Sequence, residues 1–399
     1  MNWQLALKEW FDAHEAEGIE LLADLVRQNT TNPPGNEYLV AEVVTAYLAR
    51  HGITASAHEP APGRTSVVAL VGSAAPKVLV AAHTDVVPAG EGWHTDPFAP
   101  VVKDGFIFGR GVADNKGPLA SLLLLAAFLK QHEQSFAGSL IVAAVADEEC
   151  GSDKGMAWLL EKALVHPDYA IVPDTGESIY RISCAEKGLL HVEVVFHGKQ
   201  AHGSAPEKGV NAIWAANAFL TDIYDLFSDR IGYCDMAAHD LLSPPSINIG
   251  SINGGTAYNI VPGRCAVKVD VRFLPGQTAD SYLAQFSSFA EKAKQRGLCT
   301  SFELKTESIM HPFVVSKDSP LVQAARAAVS ALSDKEIVRF GMSGTTVCKQ
   351  LLQSGIPAIG WSQDARNQAH SANEHVAVSE ISTFGQALGL AFLKLGRNW

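Results

Sequence analysis

The hydrophobic and polar positions of the first 180 residues predict short apolar strands that alternate with helices. Residues 5–27 and 37–51 have the spacing of amphipathic helices, and the turn sequence NTTNPPGN separates them. The segments TSVVALV, KVLVAAH, SLIVAAVAD and YAIVPD are predicted strands, and residues 117–130, the longest apolar run, are predicted to form a buried helix. This alternation predicts an α/β layer with a largely parallel sheet, in which functional groups collect at the carboxyl ends of the strands.

The pattern changes near residue 184. The segment LLHVEVVFHG places Leu190 and Val192 on one face and His191 and Glu193 on the other. Two more alternating segments, SINIGSING and CAVKVDVRF, and helices over 209–224 and 279–296 predict an antiparallel α+β unit with one covered face. The α/β pattern resumes after residue 308 with a helix over 320–332 and the strand PAIGWS. We therefore predict a catalytic domain of residues 1–183 and 309–399 and an inserted domain of residues 184–308.

Composition supports a two-domain globular protein. The chain has 399 residues, which is longer than a single hydrophobic core usually supports. Of these residues, 47% are hydrophobic and 18% are charged. The net charge of -11 argues against nucleic acid or an anionic membrane as a partner. The apolar run at 117–130 is too short to cross a bilayer, and the N-terminus lacks the apolar core of a signal peptide. The six cysteines are scattered without a C-x-x-C pair, which favours reduced thiols and a cytoplasmic location.

Several acidic and imidazole side chains fall at predicted strand ends or in polar loops. They are His83, Asp85, Asp114, Glu148, Glu149, Asp174 and His370. Singly, an Asp before a helix is usually an N-cap, and a Glu pair after a strand is usually a solvated turn. Crowded at one sheet edge, however, the carboxylates would repel and take up protons unless a cation held them. Imidazole and carboxylate ligands suit zinc, with cobalt or manganese as substitutes. Two histidines and three carboxylates match the ligand count of a two-metal site, which leaves a carboxylate for acid/base work.

The motifs resemble those of the M20 metallopeptidase family. The segments HTDVVP, WHTDPFAPVVKDGFIFGRGVADNKG, DEECGS and AHSANE occur in the order and spacing of that family, and the similarity covers nearly the whole chain. The family includes acetylornithine deacetylases, succinyl-diaminopimelate desuccinylases, aminoacylases, carboxypeptidases and dipeptidases. The resemblance implies a zinc-peptidase catalytic domain with an inserted ferredoxin-like lid and dimerisation domain, and two Zn²⁺ ions per chain.

The resemblance also assigns the metal ligands by position. His83 and Asp174 would hold one zinc ion. Glu149 and His370 would hold the second ion, and Asp114 would bridge the two.

Two further residues would complete the catalytic centre. Asp85 would accept the remaining ring N–H of His83 and so fix its tautomer. Glu148 would be the general base, which takes a proton from the metal-bridging water and gives it to the leaving amine.

The resemblance places substrate contacts largely in the inserted domain. His202 would reach the active site of the partner subunit and stabilise the tetrahedral oxyanion, which requires a homodimer formed through the lids. Asn259 and Arg272 would contact substrate, and the guanidinium fork of Arg272 would meet a carboxylate. Gly344 and Thr345 lie where relatives carry a glycine-rich loop that holds substrate.

Two positions bear on the substrate class. Desuccinylases tend to have the sequence G-G-T-S-D where this chain has Ser343-Gly344-Thr345-Thr346. Position 174 is often Glu in deacylases and carboxypeptidases of the family, whereas Asp174 is more typical of its aminopeptidases and dipeptidases. We therefore expect a dinuclear zinc hydrolase that cleaves an amide bond in a short peptide or N-acyl amino acid, with an N-acyl-amino-acid deacylase as the alternative.

Two other protein classes fit the sequence less well. A non-catalytic binding protein on the same fold would have lost some of the metal-binding side chains, and this chain retains the full set. A serine hydrolase would need a G-x-S-x-G elbow at a strand end, and in the nearest candidate Ser343 is followed at once by Gly344.

Overall fold

The computed structural model describes residues 1–228, 241–342 and 344–398, and the chain divides into two compact units. The first comprises Met1–Cys184, Val315–Phe340 and the C-terminal segment from Thr346, and the second comprises Ala185–Val314 and Gly341–Thr345. The sequence prediction had ended the inserted domain at residue 308 and assigned 341–345 to the catalytic domain. The second unit is therefore larger than predicted at both places.

The elements of the described residues are numbered in chain order. The helices are α1 (Trp3–Ala13), α2 (Glu15–Arg27), α3 (Tyr38–Arg50), α4 (Lys116–Gln131), α5 (Met156–Glu161), α6 (Ala212–Ser228), α7 (Ala279–Gln295), α8 (Pro320–Leu332), α9 (Cys348–Gln353) and α10 (Ser379–Leu395). The strands are β1 (Ala55–His58), β2 (Ser66–Gly72), β3 (Lys77–His83), β4 (Val101–Lys103), β5 (Phe106–Phe108), β6 (Ser139–Val145), β7 (Tyr169–Val172), β8 (Arg181–Glu186), β9 (Gly188–His197), β10 (Ser246–Gly254), β11 (Arg264–Phe273), β12 (Ser301–Met310), β13 (Phe313–Val314), β14 (Val338–Met342), β15 (Ala358–Gly360) and β16 (His375–Ala377).

The first unit is built on a sheet with a parallel core. Strands β6, β3, β7 and β15 lie side by side in that order and run parallel. Strands β2 and β1 continue the sheet beyond β6 in antiparallel pairing, and β8 joins β15 on the other side. Both faces of the core are covered, since every residue of β6 and all but the first of β3 are buried. The predicted α/β class is confirmed.

Helix α4 is the buried helix predicted at 117–130. Its residues from Lys116 to Leu129 are buried, and it packs against α2 and α10. The predicted helix over 5–27 is instead two helices, because the chain leaves helical geometry at His14. The His14 ring stacks on Trp10 with 3.6 Å between the ring centroids and contacts the Trp10 carbonyl oxygen at 2.7 Å.

A small three-stranded sheet was not predicted from the sequence. Strands β4 and β5 form a hairpin whose turn residues, Asp104 and Gly105, both have positive φ angles, of 52° and 80°. An Asp-Gly pair between apolar segments is a strong hairpin signal, and here it was overlooked. Strand β16 pairs with β5, so the segment that follows His370 lies beside the segment that leads to Asp114.

The second unit has the predicted α+β architecture. Its four antiparallel strands lie in the order β10-β11-β9-β12, and with α6 and α7 the element sequence is that of a ferredoxin-like fold. The predicted inner face of β9 is buried, and Phe196 contacts Phe219 of α6, which in turn contacts Phe286 of α7. Strand β12 continues to Met310 and β13 pairs with Ala185 and Glu186, which is why this unit extends to Val314.

Candidate metal centre

His83 ends strand β3 and is 2% exposed. Its Nδ1 atom lies 2.9 Å from the main-chain oxygen of Asp85, which can only accept a hydrogen bond. The prediction that the Asp85 carboxylate accepts this N–H needs correction, because the nearer carboxylate oxygen is 3.6 Å away. The strand ends at His83, so the chain has already turned at Asp85, and its carboxylate meets main-chain N–H groups instead.

The other nitrogen of His83 faces a carboxylate. Its Nε2 atom lies 2.8 Å from Oδ1 of Asp114. Because Nδ1 carries a hydrogen, Nε2 of the neutral ring is an acceptor, and two acceptors at this distance need a proton or a cation between them. Burial alone would lower the pKa of His83, but the nearby carboxylates of Asp114 and Asp85 outweigh it and raise that pKa well above its usual value.

Asp114 also contacts a second imidazole. Its Oδ2 atom lies 3.4 Å from Nε2 of His370, and the same nitrogen is 3.2 Å from Oε2 of Glu149. Hydrogen bonds to Asp114 and Glu149 raise the pKa of His370 to about 10. Burial would raise the pKa of Asp114, but its bonds to His370 and His83 hold it well below its usual value. The two oxygens of one carboxylate thus face two histidines, as a metal-bridging ligand requires.

The remaining acidic side chains close the cluster. Ligand atoms of His83, Glu148 and Asp174 lie within 4.8 Å of one another, as do those of His83, Asp114 and Glu149. We call the whole set the metal centre, and its members are His83, Asp114, Glu148, Glu149, Asp174 and His370. Imidazole nitrogens and carboxylate oxygens are the donors that zinc, cobalt and manganese accept, so the residues fit such ions.

The Glu148 side chain lies close to other carboxylates. Burial and the nearby Asp174 carboxylate raise the pKa of Glu148 well above its usual value, and only the His83 ring acts against them. The structure places Glu148 as near to His83 and Asp174 as a ligand would be. A carboxyl group of this kind takes up and releases a proton near neutral pH more readily than an exposed one.

Three residues support the metal centre, of which Asp85 was predicted in a different role and the other two were not predicted. Asp85 accepts the main-chain N–H groups of Glu148 and Glu149, each at 3.0 Å. The Asn115 side chain donates to the main-chain oxygen of Pro173, at 2.6 Å, and so ties the Asp114 loop to the residue before Asp174. The only sequence signal for Asn115 was its position next to Asp114 in a predicted metal-site motif.

The third supporting residue is Glu374, which is fully buried. It accepts the main-chain N–H groups of Gly111, Ala113 and Asp114 at 3.0, 2.7 and 3.2 Å. The Arg110 guanidinium also donates to it, at 2.7 Å. The segment that carries His370 therefore holds the Asp114 loop through one carboxylate. Glu374 belongs to the motif AHSANE, but nothing in that motif predicts this contact.

The residues predicted to contact substrate lie in the second unit and keep their roles as predictions. His202 and Asn259 are neighbours there, because Gly203 donates its N–H to the Asn259 oxygen at 2.7 Å. The Nδ1 atom of His202 accepts the Ser204 N–H at 3.2 Å, so in the neutral ring Nε2 carries the hydrogen.

Arg272, predicted to bind a substrate carboxylate, is paired within the chain. Its Nε and Nη2 atoms lie 2.9 and 3.2 Å from the two carboxylate oxygens of Asp270. Gly344 and Thr345 are described in the second unit, whereas Ser343 lies outside the described residues.

Within the described part of the chain, no helix combines the length and apolar character needed to span a bilayer.

Comparisons with known proteins agree with this geometry. The family model "Peptidase family M20/M25/M40" matches residues 79–393. The chain is 28% identical over 403 aligned residues to an uncharacterized metallohydrolase of Methanocaldococcus jannaschii, covering 92% of this chain and 96% of the relative. It is 30% identical over 336 aligned residues to a succinyl-diaminopimelate desuccinylase of Dechloromonas aromatica, covering 80% and 83% of the two chains.

A solved structure shows the same fold. The crystal structure of aminopeptidase PepT from Bacillus cereus matches with a TM-score of 0.78 at 20% identity and covers 96% of this chain and 99% of its own. The family match extends from β3 to α10 and so includes the whole metal centre and the whole second unit. The chain belongs to the peptidase family M20/M25/M40 and is a hydrolytic enzyme.

Proposed function

We propose that this enzyme is a dinuclear zinc hydrolase that cleaves an amide bond in a short peptide or an N-acyl amino acid. The observation that carries this proposal is the position of Asp114, whose two oxygens face His83 and His370. A shared carboxylate between two imidazoles is the arrangement that two adjacent cations need. Cobalt or manganese could occupy the same ligands.

The remaining carboxylates divide between the two positions. His83 and Asp174 would hold one ion, Glu149 and His370 the other, and Asp114 would bind both. When bound, such ions act as Lewis acids that lower the pKa of water and polarise a carbonyl oxygen.

Glu148 is the proton carrier in this proposal. It would accept the proton of the attacking water and then deliver it to the nitrogen of the leaving amine, so that no free amide anion forms. Its burial and the nearby Asp174 carboxylate support this role, because both raise the pKa of Glu148. The bond from its main-chain N–H to Asp85 supports it as well, since it holds the start of the side chain in place.

His202 would stabilise the oxyanion of the tetrahedral intermediate in the active site of the partner subunit. Because Nδ1 accepts the Ser204 N–H, the neutral ring presents Nε2–H as a donor, which is what an oxyanion needs.

This role requires a homodimer formed through the second units. Helix α6 exposes two large aromatic side chains, Trp214 and Tyr224, which are 61% and 74% accessible. Strand β10 is an edge strand of its sheet, with one side open to pairing. Both features support a second copy of the chain as the partner, and no nucleic acid or membrane partner is proposed.

The proposed substrate class depends on Asp174 and on the named activity of a relative. Asp174 favours a peptide with a free amino terminus, by analogy with peptidases of the family. The named activity of the Dechloromonas aromatica relative favours the alternative, an N-acyl-amino-acid deacylase. In either case a substrate carboxylate could reach Arg272 only by sharing or displacing its contact with Asp270. The cysteines are scattered along the sequence without a C-x-x-C pair, which supports a reducing compartment, so we propose a cytoplasmic location.

A hydrolysis screen tests the proposal. Zinc-loaded enzyme is incubated with N-acetyl-amino acids, N-succinyl-amino acids and dipeptides, and the products are followed by mass spectrometry. Chelator-treated enzyme and the Glu148→Gln variant are the controls. Turnover of dipeptides supports the peptidase, and turnover of N-acyl substrates supports the alternative. Turnover that survives complete metal removal would contradict both.

A further inference from the structure

A buried polar cluster lies behind the segment that carries Glu148 and Glu149. We call it the anchor cluster, and its members, each at most 6% exposed, are Asn32, Glu37, Arg64, Asp85 and Asp147. Asn32 and Glu37 flank the Pro-Pro turn of the sequence NTTNPPGN, a motif for which the reaction has no direct use.

Arg64 connects two carboxylates of the anchor cluster. Its Nε and Nη2 atoms donate to the two oxygens of Glu37 at 2.8 and 2.6 Å. Nη2 also lies 2.7 Å from Oδ1 of Asp147. The turn is shaped around this pair, because a Cβ atom at Gly35 would lie 2.6 Å from both Arg64 Nε and Glu37 Oε2. Only the planar fork of an arginine can make these contacts together.

Asp147 is held at every polar atom. Its N–H donates to Glu37 at 3.1 Å, its main-chain oxygen accepts from Ser152 at 2.6 Å, and its Oδ2 atom accepts from Lys154 at 2.9 Å. With φ of 66° and ψ of 19°, it adopts the left-handed conformation, which a non-glycine residue keeps only when its surroundings impose it. The chain turns here from the end of β6 into the short 3₁₀ turn Glu148–Cys150.

Asn32 links this part of the cluster to Asp85. Its side-chain nitrogen donates to Oδ2 of Asp85 at 2.8 Å and contacts Asp147 at 3.4 Å. Its side-chain oxygen lies 3.4 Å from Nη1 of Arg64. The carboxylate of Asp85 then accepts the N–H groups of Glu148 and Glu149. A continuous chain of bonds thus runs from Arg64 to the main chain of both residues.

We propose that Arg64 is a positioning residue for catalysis. It fixes Asp147 and, through Asn32, Asp85, and so sets the direction in which the Glu148 and Glu149 side chains leave the main chain. This inference rests on the proposed roles of Glu148 as base and Glu149 as ligand. One arginine that touches neither metal nor substrate therefore controls both turnover and the affinity of the ion held by Glu149.

The Arg64→Lys variant tests this proposal, because it keeps the positive charge and removes the fork. Hydrogen–deuterium exchange of the metal-free protein should show faster exchange in the peptide that contains residues 148 and 149, with other core peptides unchanged. Co²⁺ affinity, read from its absorption bands, and kcat at saturating metal should each fall by about 10–100-fold, the usual cost of losing a residue that orients a ligand. The control is Arg27→Lys, since Arg27 makes an exposed pair with Asp24.

The Asn32→Ala variant tests the same proposal if Arg64→Lys does not fold. It removes the donor to Asp85 and leaves the Arg64–Glu37 pair intact, and it should change the same peptide and the same Co²⁺ affinity. Wild-type exchange and affinity in a folded variant would overturn the proposal, as would faster exchange spread over the whole first unit. Absence of metal binding in the wild-type enzyme would instead refute the proposed function, so the two failures are distinguishable.

Discussion

The Nε2 atom of His83 lies 2.8 Å from Oδ1 of Asp114, and the other ring nitrogen of His83 is already committed to a main-chain oxygen. This pair cannot be a neutral imidazole facing an ionised carboxylate with nothing between them. Either a proton or a metal ion occupies the space. The Nε2 atom of His370 likewise faces two carboxylates, those of Asp114 and Glu149.

Metal binding should therefore compete with protons. In the metal-free protein the pKa of His370 is about 10, so this ring is protonated at pH 7, and nearby carboxylates also raise the pKa of His83. A divalent ion must displace the His370 proton, and its affinity should increase as pH rises. Calorimetric titration in buffers of different ionisation enthalpy measures the protons released. Binding without proton release at pH 7 would contradict the geometry.

The stability of the metal-free enzyme should depend on the His370 ring. Its folded-state pKa of about 10 lies above the ordinary 6.5, so the protonated ring stabilises the fold fully below pH 6.5. This contribution is lost as pH rises through about 10. The Tm of chelated wild-type enzyme, compared with His370→Gln between pH 6 and pH 10, should converge at the alkaline end. A constant difference in Tm would rule out the ion pair.

Glu148 and Glu149 are adjacent in the chain and should fail in different ways. Glu148→Gln should keep its metal and lose about 10²–10⁴-fold in kcat, the usual value of general acid–base catalysis. Glu149→Gln should lose metal, because it removes a charged ligand beside His370. Metal analysis and kinetics of the two variants separate the roles. Near wild-type turnover of Glu148→Gln would show that another group carries the proton.

Glu374 should be needed for metal binding although it is not a ligand. In Glu374→Gln, an amide nitrogen replaces one oxygen and faces either Arg110 or the N–H groups of the Asp114 loop. We expect about 10–100-fold weaker Co²⁺ binding with the fold retained. The matched control is Glu380→Gln, since Glu380 also accepts a main-chain N–H, that of Asp364, but from another loop. Equal Co²⁺ affinities for the two variants would contradict this expectation.

The homodimer can be tested by complementation. His202→Ala and Glu148→Gln homodimers should each be nearly inactive, whereas mixed dimers contain one site with both wild-type residues. Random exchange makes half of the dimers mixed, so the mixture should regain about a quarter of the wild-type rate. Analytical ultracentrifugation of the Trp214→Ser/Tyr224→Ser variant checks the interface. No recovery in a confirmed mixed dimer would remove His202 from the partner's site.

The sequence predicted the site where a functional side chain lies at the end of a recognisable strand. His83 and Asp174 follow apolar strands, and parallel strands bring their carboxyl ends to one edge, so their meeting was predictable. Asn32 and Arg64 lie more than 80 positions from Asp147, and neither periodicity nor spacing relates them. The sequence predicted that the Asp85 carboxylate accepts the His83 N–H, whereas the main-chain oxygen of Asp85 is the acceptor. A sequence pattern shows that the two residues are close together but not where the carboxylate points.

The boundaries of the second unit show a similar limit. Alternation located β9 and β11, whose inner faces are almost wholly apolar and buried. Strand β12 has only partly buried or exposed positions, so the sequence pattern did not predict this strand or its end at Met310.

Metal stoichiometry of the Asp114→Asn variant tests most directly whether one carboxylate joins two ions. Wild-type enzyme and the variant are loaded with zinc, freed of excess metal and measured by elemental mass spectrometry, with His370→Ala as the comparison. We expect about two ions per chain in wild type, about one in His370→Ala and almost none in Asp114→Asn, as a bridging ligand requires. An Asp114→Asn protein that keeps the wild-type zinc content would contradict the proposed two-metal centre.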